Sequence, residues 1–196
     1  MRSKEPRPSR ASACGLPLLG LLLVSGCYLG SARDAKLSEL TTDNGWELVG
    51  NVPLVRQVAR EDCGAAALAM VLGYWGHPIL RDTISATYAT KPERGIKAAN
   101  LRDLARRQGL QAFLIPGQQS DLVREVLGHR PILVGLMKRY ILRNYPHYEV
   151  VVGVNLRKQS ILTLDPAHGL RVNGRDGFAT EWAKANQVAL IIFPTR

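Results

Sequence analysis

Gln57, Cys63, His147 and Asp165 are the residue types from which a thiol hydrolase is built, and each stands where the local sequence suits it to one task. Cys63 lies in Asp62-Cys63-Gly64, directly ahead of the alanine-rich run Ala65–Leu72. A cysteine in the first turn of a helix meets free backbone N–H groups and the positive end of the macrodipole, and both favour the thiolate. A nearby imidazole completes the activation by pairing with the sulfur and later protonating the leaving amine. His147 opens a strand-like segment, a rigid place from which to present a ring, and Asp165 closes the next one, 18 residues on. If the two segments pair as a hairpin, the carboxylate stands beside the imidazole and sets its tautomer. Gln57, six residues before Cys63, has an amide suited to binding the carbonyl oxygen under attack, together with the Cys63 N–H. His168 is the rival base, on a short loop three residues past Asp165, while His77 and His129 sit beside Gly or Pro and are expected at the surface. No pair of histidines and cysteines has zinc-ligand spacing, so neither a metal nor a cofactor is expected.

These residues need elements to position them. The run after Cys63 contains no proline and stops at Gly73 and Gly76, which predicts a buried helix beginning at the cysteine. Further helices are expected over Leu80–Tyr88, over Ala98–Gln108 with Leu101, Leu104 and Ala105 on one face, and over Ser120–Leu127. Ala112–Ile115, Ile132–Leu136, Tyr148–Val154, Ile161–Leu164 and Val188–Phe193 are short β-branched runs bounded by turn residues, and they predict strands. Helices first and strands second indicate an α+β domain with an antiparallel sheet.

A chain of 196 residues, 46% apolar and 21% charged, is long enough for one cored domain and too apolar for wholesale disorder. Residues 1–26 read as an export leader: a basic segment ending near Arg10, then an apolar run through Leu16–Val24 interrupted by Pro17, then Ser25-Gly26. The stretch Leu23-Val24-Ser25-Gly26-Cys27 resembles the lipobox of bacterial lipoproteins, which implies cleavage before Cys27 and acylation of its thiol. Tyr28 in the next position lacks the Asp that retains such proteins at the inner membrane, so an outer-membrane or cell-surface location is expected. Residues 27–51 read as the lipidated cysteine and a polar tether, and residues 52–196 as the domain. Cys14 leaves with the leader and Cys27 carries lipid, so Cys63 alone remains a thiol, which in an oxidising compartment calls for a reason. Part of the formal charge of +10 belongs to the leader; what remains is 22 basic and 15 acidic residues, a surplus suited to anionic partners. With 6% aromatics and no recognised motif, nucleic acid is not expected among them. The run Arg102, Arg106, Arg107 reads as a solvated helical face.

The segment Gln57-Val58-Ala59-Arg60-Glu61-Asp62-Cys63-Gly64 with its following helix resembles the nucleophile motif of the C39 peptidases, papain-like domains that trim double-glycine leaders from exported peptides. His147-Tyr148 resembles that family's histidine motif, Asp165-Pro166 with Gly169 its aspartate motif, and Phe178 with Trp182 its carboxyl-terminal end. The resemblance spans about Val52–Pro194 and implies a papain-like cysteine peptidase: Cys63 as nucleophile, His147 as general acid and base, Asp165 as orienting residue, Gln57 as oxyanion donor. It also implies a peptide or protein substrate and a neighbouring secretion system. The chain holds no GxxxxGK[ST] phosphate loop, so the exporters' specificity is not carried over with the motifs. Glu149 stands where the family usually has an apolar residue, on the same strand face as His147, where it is expected to perturb the histidine or to contact a basic substrate residue. Two other readings share this parts list: a non-hydrolytic peptide-binding module, and an acyl transferase in which an amine replaces water.

Overall fold

A computed structural model describes residues 28–88 and 95–195; the leader and Cys27 lie outside the described residues. The predicted helices are α1 (Cys63–Tyr74), α2 (Arg81–Tyr88), α3 (Ala98–Arg107) and α4 (Gln119–Leu127). The predicted strands are β3 (Leu110–Pro116), β4 (Ile132–Arg139), β5 (Asn144–Asn155), β6 (Ser160–Asp165) and β8 (Val188–Pro194). Four further elements lack a clear sequence signal: β1 (Arg33–Asp34), β2 (Trp46–Leu48), β7 (Gly169–Gly174) and α5 (Arg175–Ala183). Strand β7 carries Arg171 and Asn173, and α5 is marked only by the i, i+4 pair Phe178 and Trp182. The strands form one antiparallel sheet in the order β1-β7-β6-β5-β4-β8-β3, with β2 beside β5, so the α+β class expected from the element order is the one observed. Among the described residues no helix is long and apolar enough to cross a membrane.

The helix that carries the nucleophile is apolar around its whole circumference, and such a helix must be enclosed. Every residue from Cys63 to Leu72 is buried, with α1 against β5 and β4 on one side and α2 and α3 on another. Its alanines permit this close approach. Strand β5 is the axis of the sheet: β4 pairs along its first part, from Arg139↔Asn144 to Ile132↔Val151, and β6 pairs along its other edge. A bulge at Val151/Gly153 shifts the register against β6.

Residues 28–50, expected as a tether, are instead packed on the domain. Strand β4 reaches β5 only as far as Val151, which leaves an open edge beyond it, and β2 fills that edge with the register Trp46↔Asn155 to Leu48↔Gly153. Trp46 is 3% exposed and Val49 5%, both within the main core, while β1 extends the far edge of the sheet by pairing with β7. The segment has too few apolar residues to show a period, and a free sheet edge elsewhere in the chain gives those few a place. Trp46→Ala is therefore expected to cost about 3–5 kcal/mol in urea unfolding; an unchanged midpoint would return the segment to a tether.

Candidate active site

The helix start is shaped by Asp62. Its carboxylate accepts the Ala59 N–H (3.0 Å) and the Ser85 hydroxyl (2.9 Å), closing the short 3₁₀ turn Arg60–Asp62 that leads into α1. Cys63 opens α1, buried and unpaired. His147 and Asp165 come together through sheet register. Val150 lies opposite Leu164, so one step further along the same ladder Asp165 comes level with Glu149, two residues from His147 and on its face. The result is a hydrogen bond of 2.8 Å between His147 Nε2 and Asp165 Oδ1. A second Asp165 contact, the Ala167 N–H at 2.8 Å, fixes the carboxylate.

The charges follow from this geometry. Burial opposes a charged His147, but hydrogen bonds to Asp165 and Cys63 outweigh it and raise its pKa from 6.5 to about 10. Nε2 serves Asp165, which leaves Nδ1 for the sulfur. Burial likewise disfavours an ionised Asp165, yet the His147 hydrogen bond and charge, with help from the Ala167 N–H, lower its pKa to about 2. Tyr148, beside Cys63, is pushed up to about 12 by burial and then by the charge of the sulfur.

Gln57 is brought alongside by the loop after β6: its N–H donates to Pro166 O (3.2 Å), and the neighbouring Arg56 guanidinium donates to Ala167 O (2.9 Å). The Gln57 Oε1 is enclosed and has no hydrogen-bond partner. All four expected residues thus converge on one cleft, while the rival His168 is exposed at its rim and His147 is the ring that contacts both Cys63 and Asp165. Two cavities meet there at Arg60, Tyr145 and Pro146. One, of about 220 Å³, includes Gln57, Lys138, His147 and Asp165 in its lining; the other, of about 250 Å³, includes Cys63, Gly95, Ile96 and Tyr148. Arg60 and Tyr148 stand inside the sequence motifs and Tyr145 does not, but none of the three is marked there as part of a wall, because a lining residue announces itself only once the walls are assembled.

Glu149 is fully buried, which excludes the contact with a basic substrate residue. Its Oε1 lies 2.8 Å from Lys138 Nζ, which is also 3.2 Å from Glu181 Oε2. Burial opposes the Lys138 charge, but Glu149 and Glu181 outweigh it and hold the ammonium protonated well above its ordinary range. Atoms of His147, Glu149 and Asp165 lie within 4.8 Å of one another, a spacing a metal ion can use. Here Lys138 supplies the cation beside Glu149, and His147 Nε2 and Asp165 already bind each other.

The sign of the pH dependence is set by these shifts. The His147 contribution to stability is complete below pH 6.5 and is lost as pH rises through about 10, whereas that of Asp165 is present above 3.8 and is lost as pH falls through about 2. In an NMR titration of the ring carbons, His147 is expected to titrate far above an ordinary histidine, and Asp165→Asn to bring its midpoint down. A midpoint near 6.5 in the unsubstituted chain would overturn the ion-pair geometry.

Comparison with known proteins places this arrangement. The profile of the Peptidase C39 family matches residues 51–196. The chain is similar to the pediocin PA-1 transport/processing ATP-binding protein PedD of Pediococcus acidilactici, 31% identical over 139 residues; these cover 71% of this chain and 18% of that protein. It is similar in fold to the peptidase domain of Streptococcus ComA, a bi-functional ABC transporter involved in a quorum sensing pathway, with TM-score 0.61, 22% identity, 74% of this chain and 100% of that one. A double glycine motif protease from an AMS/PCAT transporter, solved in complex with the leader peptide, superposes with TM-score 0.58 at 24% identity over 74% of this chain and 93% of that one. The chain thus spans under a fifth of the length of the curated transporter it matches. With the family profile covering nearly all of the described domain, the chain belongs to the peptidase C39 family, and its domain is a cysteine peptidase domain.

Proposed function

We propose that the protein hydrolyses a peptide bond of an exported peptide or protein through Cys63, His147 and Asp165, with Gln57 as oxyanion donor. The observation that carries this reading is the His147 ring held between the Asp165 carboxylate and the Cys63 side chain. The Cys63 thiolate attacks the carbonyl carbon, and the oxyanion forms beside Gln57 and the first N–H groups of α1. Gln57, whose side chain lines the cavity beside His147, supplies the amide N–H donor. As the C–N bond breaks, the proton on His147 Nδ1 passes to the leaving amine. Water then attacks the thioester while Nδ1 takes its proton, the C–S bond breaks, and the thiolate returns.

This sequence assigns the two cavities. The leaving amine must lie by the histidine, so residues after the scissile bond occupy the cavity lined by His147, Gln57 and Lys138, and residues before it occupy the one lined by Cys63, Ile96 and Tyr148. The latter is bounded by Tyr145, Tyr148 and Gly95, and the likeness to a double glycine motif protease solved in complex with the leader peptide supports cleavage after a Gly-Gly pair. The lipobox resemblance supports acylation of Cys27 and attachment to the cell envelope, and the likeness to a transport/processing protein supports action beside a secretion system.

A synthetic peptide carrying a Gly-Gly junction, incubated with the full chain and followed by mass spectrometry, is expected to be cut after the pair. Cys63→Ala should abolish cleavage, and Gln57→Ala should lower kcat by roughly 10²–10³. Undiminished cleavage by Cys63→Ala would refute the assignment, and clean binding of the peptide without cleavage by the unsubstituted chain would favour a binding module.

A further inference from the structure

The hairpin tip Tyr140–Arg143 between β4 and β5 is unusual for a turn exposed to water. Ile141 is 54% exposed and Leu142 75%, where polar turn residues are the norm. The start of the described chain lies against this tip. Tyr28 bridges to Tyr140 and donates its hydroxyl to Glu181 (3.0 Å), while the Leu29 N–H donates to Arg139 O (2.8 Å). Gly30 lets the chain fold this tightly, because a Cβ there would stand 2.0 Å from Tyr28 Oη. Leu29 adds a third outward apolar side chain, 50% exposed.

Around these prongs stand three tyrosines, Tyr28, Tyr140 and Tyr145, with ring centroids 5.4 and 5.5 Å apart along the series. Arg143 and Arg60 lie over the Tyr145 ring at 4.6 and 3.4 Å, and among the described residues no ion pair joins a carboxylate to their guanidinium groups or to that of Arg139, whose backbone N–H alone meets Glu181. Aliphatic side chains projecting past amphipathic tyrosines and unpaired arginines match a bilayer boundary: hydrocarbon beneath, polar interface around it, anionic headgroups for the guanidinium groups.

We infer that the Tyr140–Arg143 hairpin tip, with Leu29 beside it, is a membrane-contact surface that seats the domain on anionic phospholipid. The inference rests on the proposed acylation of Cys27 for its geometry: consecutive Cα atoms are about 3.8 Å apart, so an anchor at residue 27 joined to a pinned Tyr28 has no slack, and the bilayer must begin at this tip. Tyr140 and Tyr145 also line the His147-side cavity, so the leaving-group end of the cleft opens at the membrane surface and peptides held there are the favoured substrates.

The test uses the full chain reconstituted in phosphatidylglycerol/phosphatidylcholine vesicles with brominated acyl chains, comparing Leu142→Trp with Leu156→Trp. Leu156 is 64% exposed and follows the opposite end of β5, roughly 35–40 Å away along a strand of this length. Because an interfacial segment sits roughly 5–10 Å into the headgroup and acyl boundary, the emission added by Leu142→Trp should shift to the blue and lose roughly half its intensity. The emission added by Leu156→Trp should stay as in water, and quenching of the indole in the Leu142→Trp chain should weaken several-fold without phosphatidylglycerol. Intact-mass measurement reports acylation separately. If both variants are acylated and the Leu142→Trp indole is no more quenched than the Leu156→Trp one, the surface is overturned and the anchor stands. Quenching in a Leu142→Trp chain without acyl groups overturns the anchor and leaves the surface. A blue shift that needs added envelope protein and shows no bromine quenching assigns the tip to a protein partner and overturns the inference.

Discussion

The hydrogen bond from His147 Nε2 to Asp165 Oδ1 is the contact on which the rest of the site depends. It holds the ring edge-on to β6, so that Nδ1 is the nitrogen left for the sulfur, and it keeps the imidazole charged against the cost of burial. Neither partner could hold its ionised form alone at this depth. Each supplies the counter-charge that the other lacks, and the sulfur at the tip of α1 completes the set. The strands that carry the pair are hydrogen-bonded neighbours in the middle of a sheet, so the separation is held by backbone ladders rather than by loops.

Behind this pair sits a second buried charge cluster. Glu149, Lys138 and Glu181 are almost wholly enclosed, and Tyr28 closes the cluster from outside by donating to Glu181. Such a cluster is weak evidence for stability, because desolvation offsets much of the attraction, yet removing one partner leaves a buried charge at a cost of about 3–5 kcal/mol. Its place explains why it stays balanced. Glu149 lies within 4.8 Å of the His147–Asp165 pair, and without Lys138 its carboxylate would compete with Asp165 for the imidazolium. The ammonium keeps the extra acid from redirecting the ring.

The amino-terminal segment joins this cluster to the outside of the domain. Trp46 and Val49 belong to the main core, and Tyr28 reaches the wall of the cleft through Glu181 and Tyr140. The segment is therefore part of the fold that holds the site, and whatever acts on the chain just ahead of Tyr28 is coupled to the hairpin that presents His147.

From its sequence alone, the chain determined the local parts. A helix apolar on all sides starts at Cys63, strands are bounded by turn residues, and Asp165 ends the strand that follows the one His147 opens. Each of these is a statement about period, propensity or near neighbours, which a linear pattern records directly. Tertiary structure alone decided the rest. The open edge of β5 beyond Val151 made a strand of Trp46–Leu48, a segment with no period of its own. The meeting of β4, β5 and α5 turned Glu149 from an apparent surface contact into a buried ion-pair partner, and the assembled walls made Arg60, Tyr145 and Tyr148 into cleft. These outcomes depend on what stands opposite a residue in space, and neighbours distant along the chain leave no trace in its local pattern.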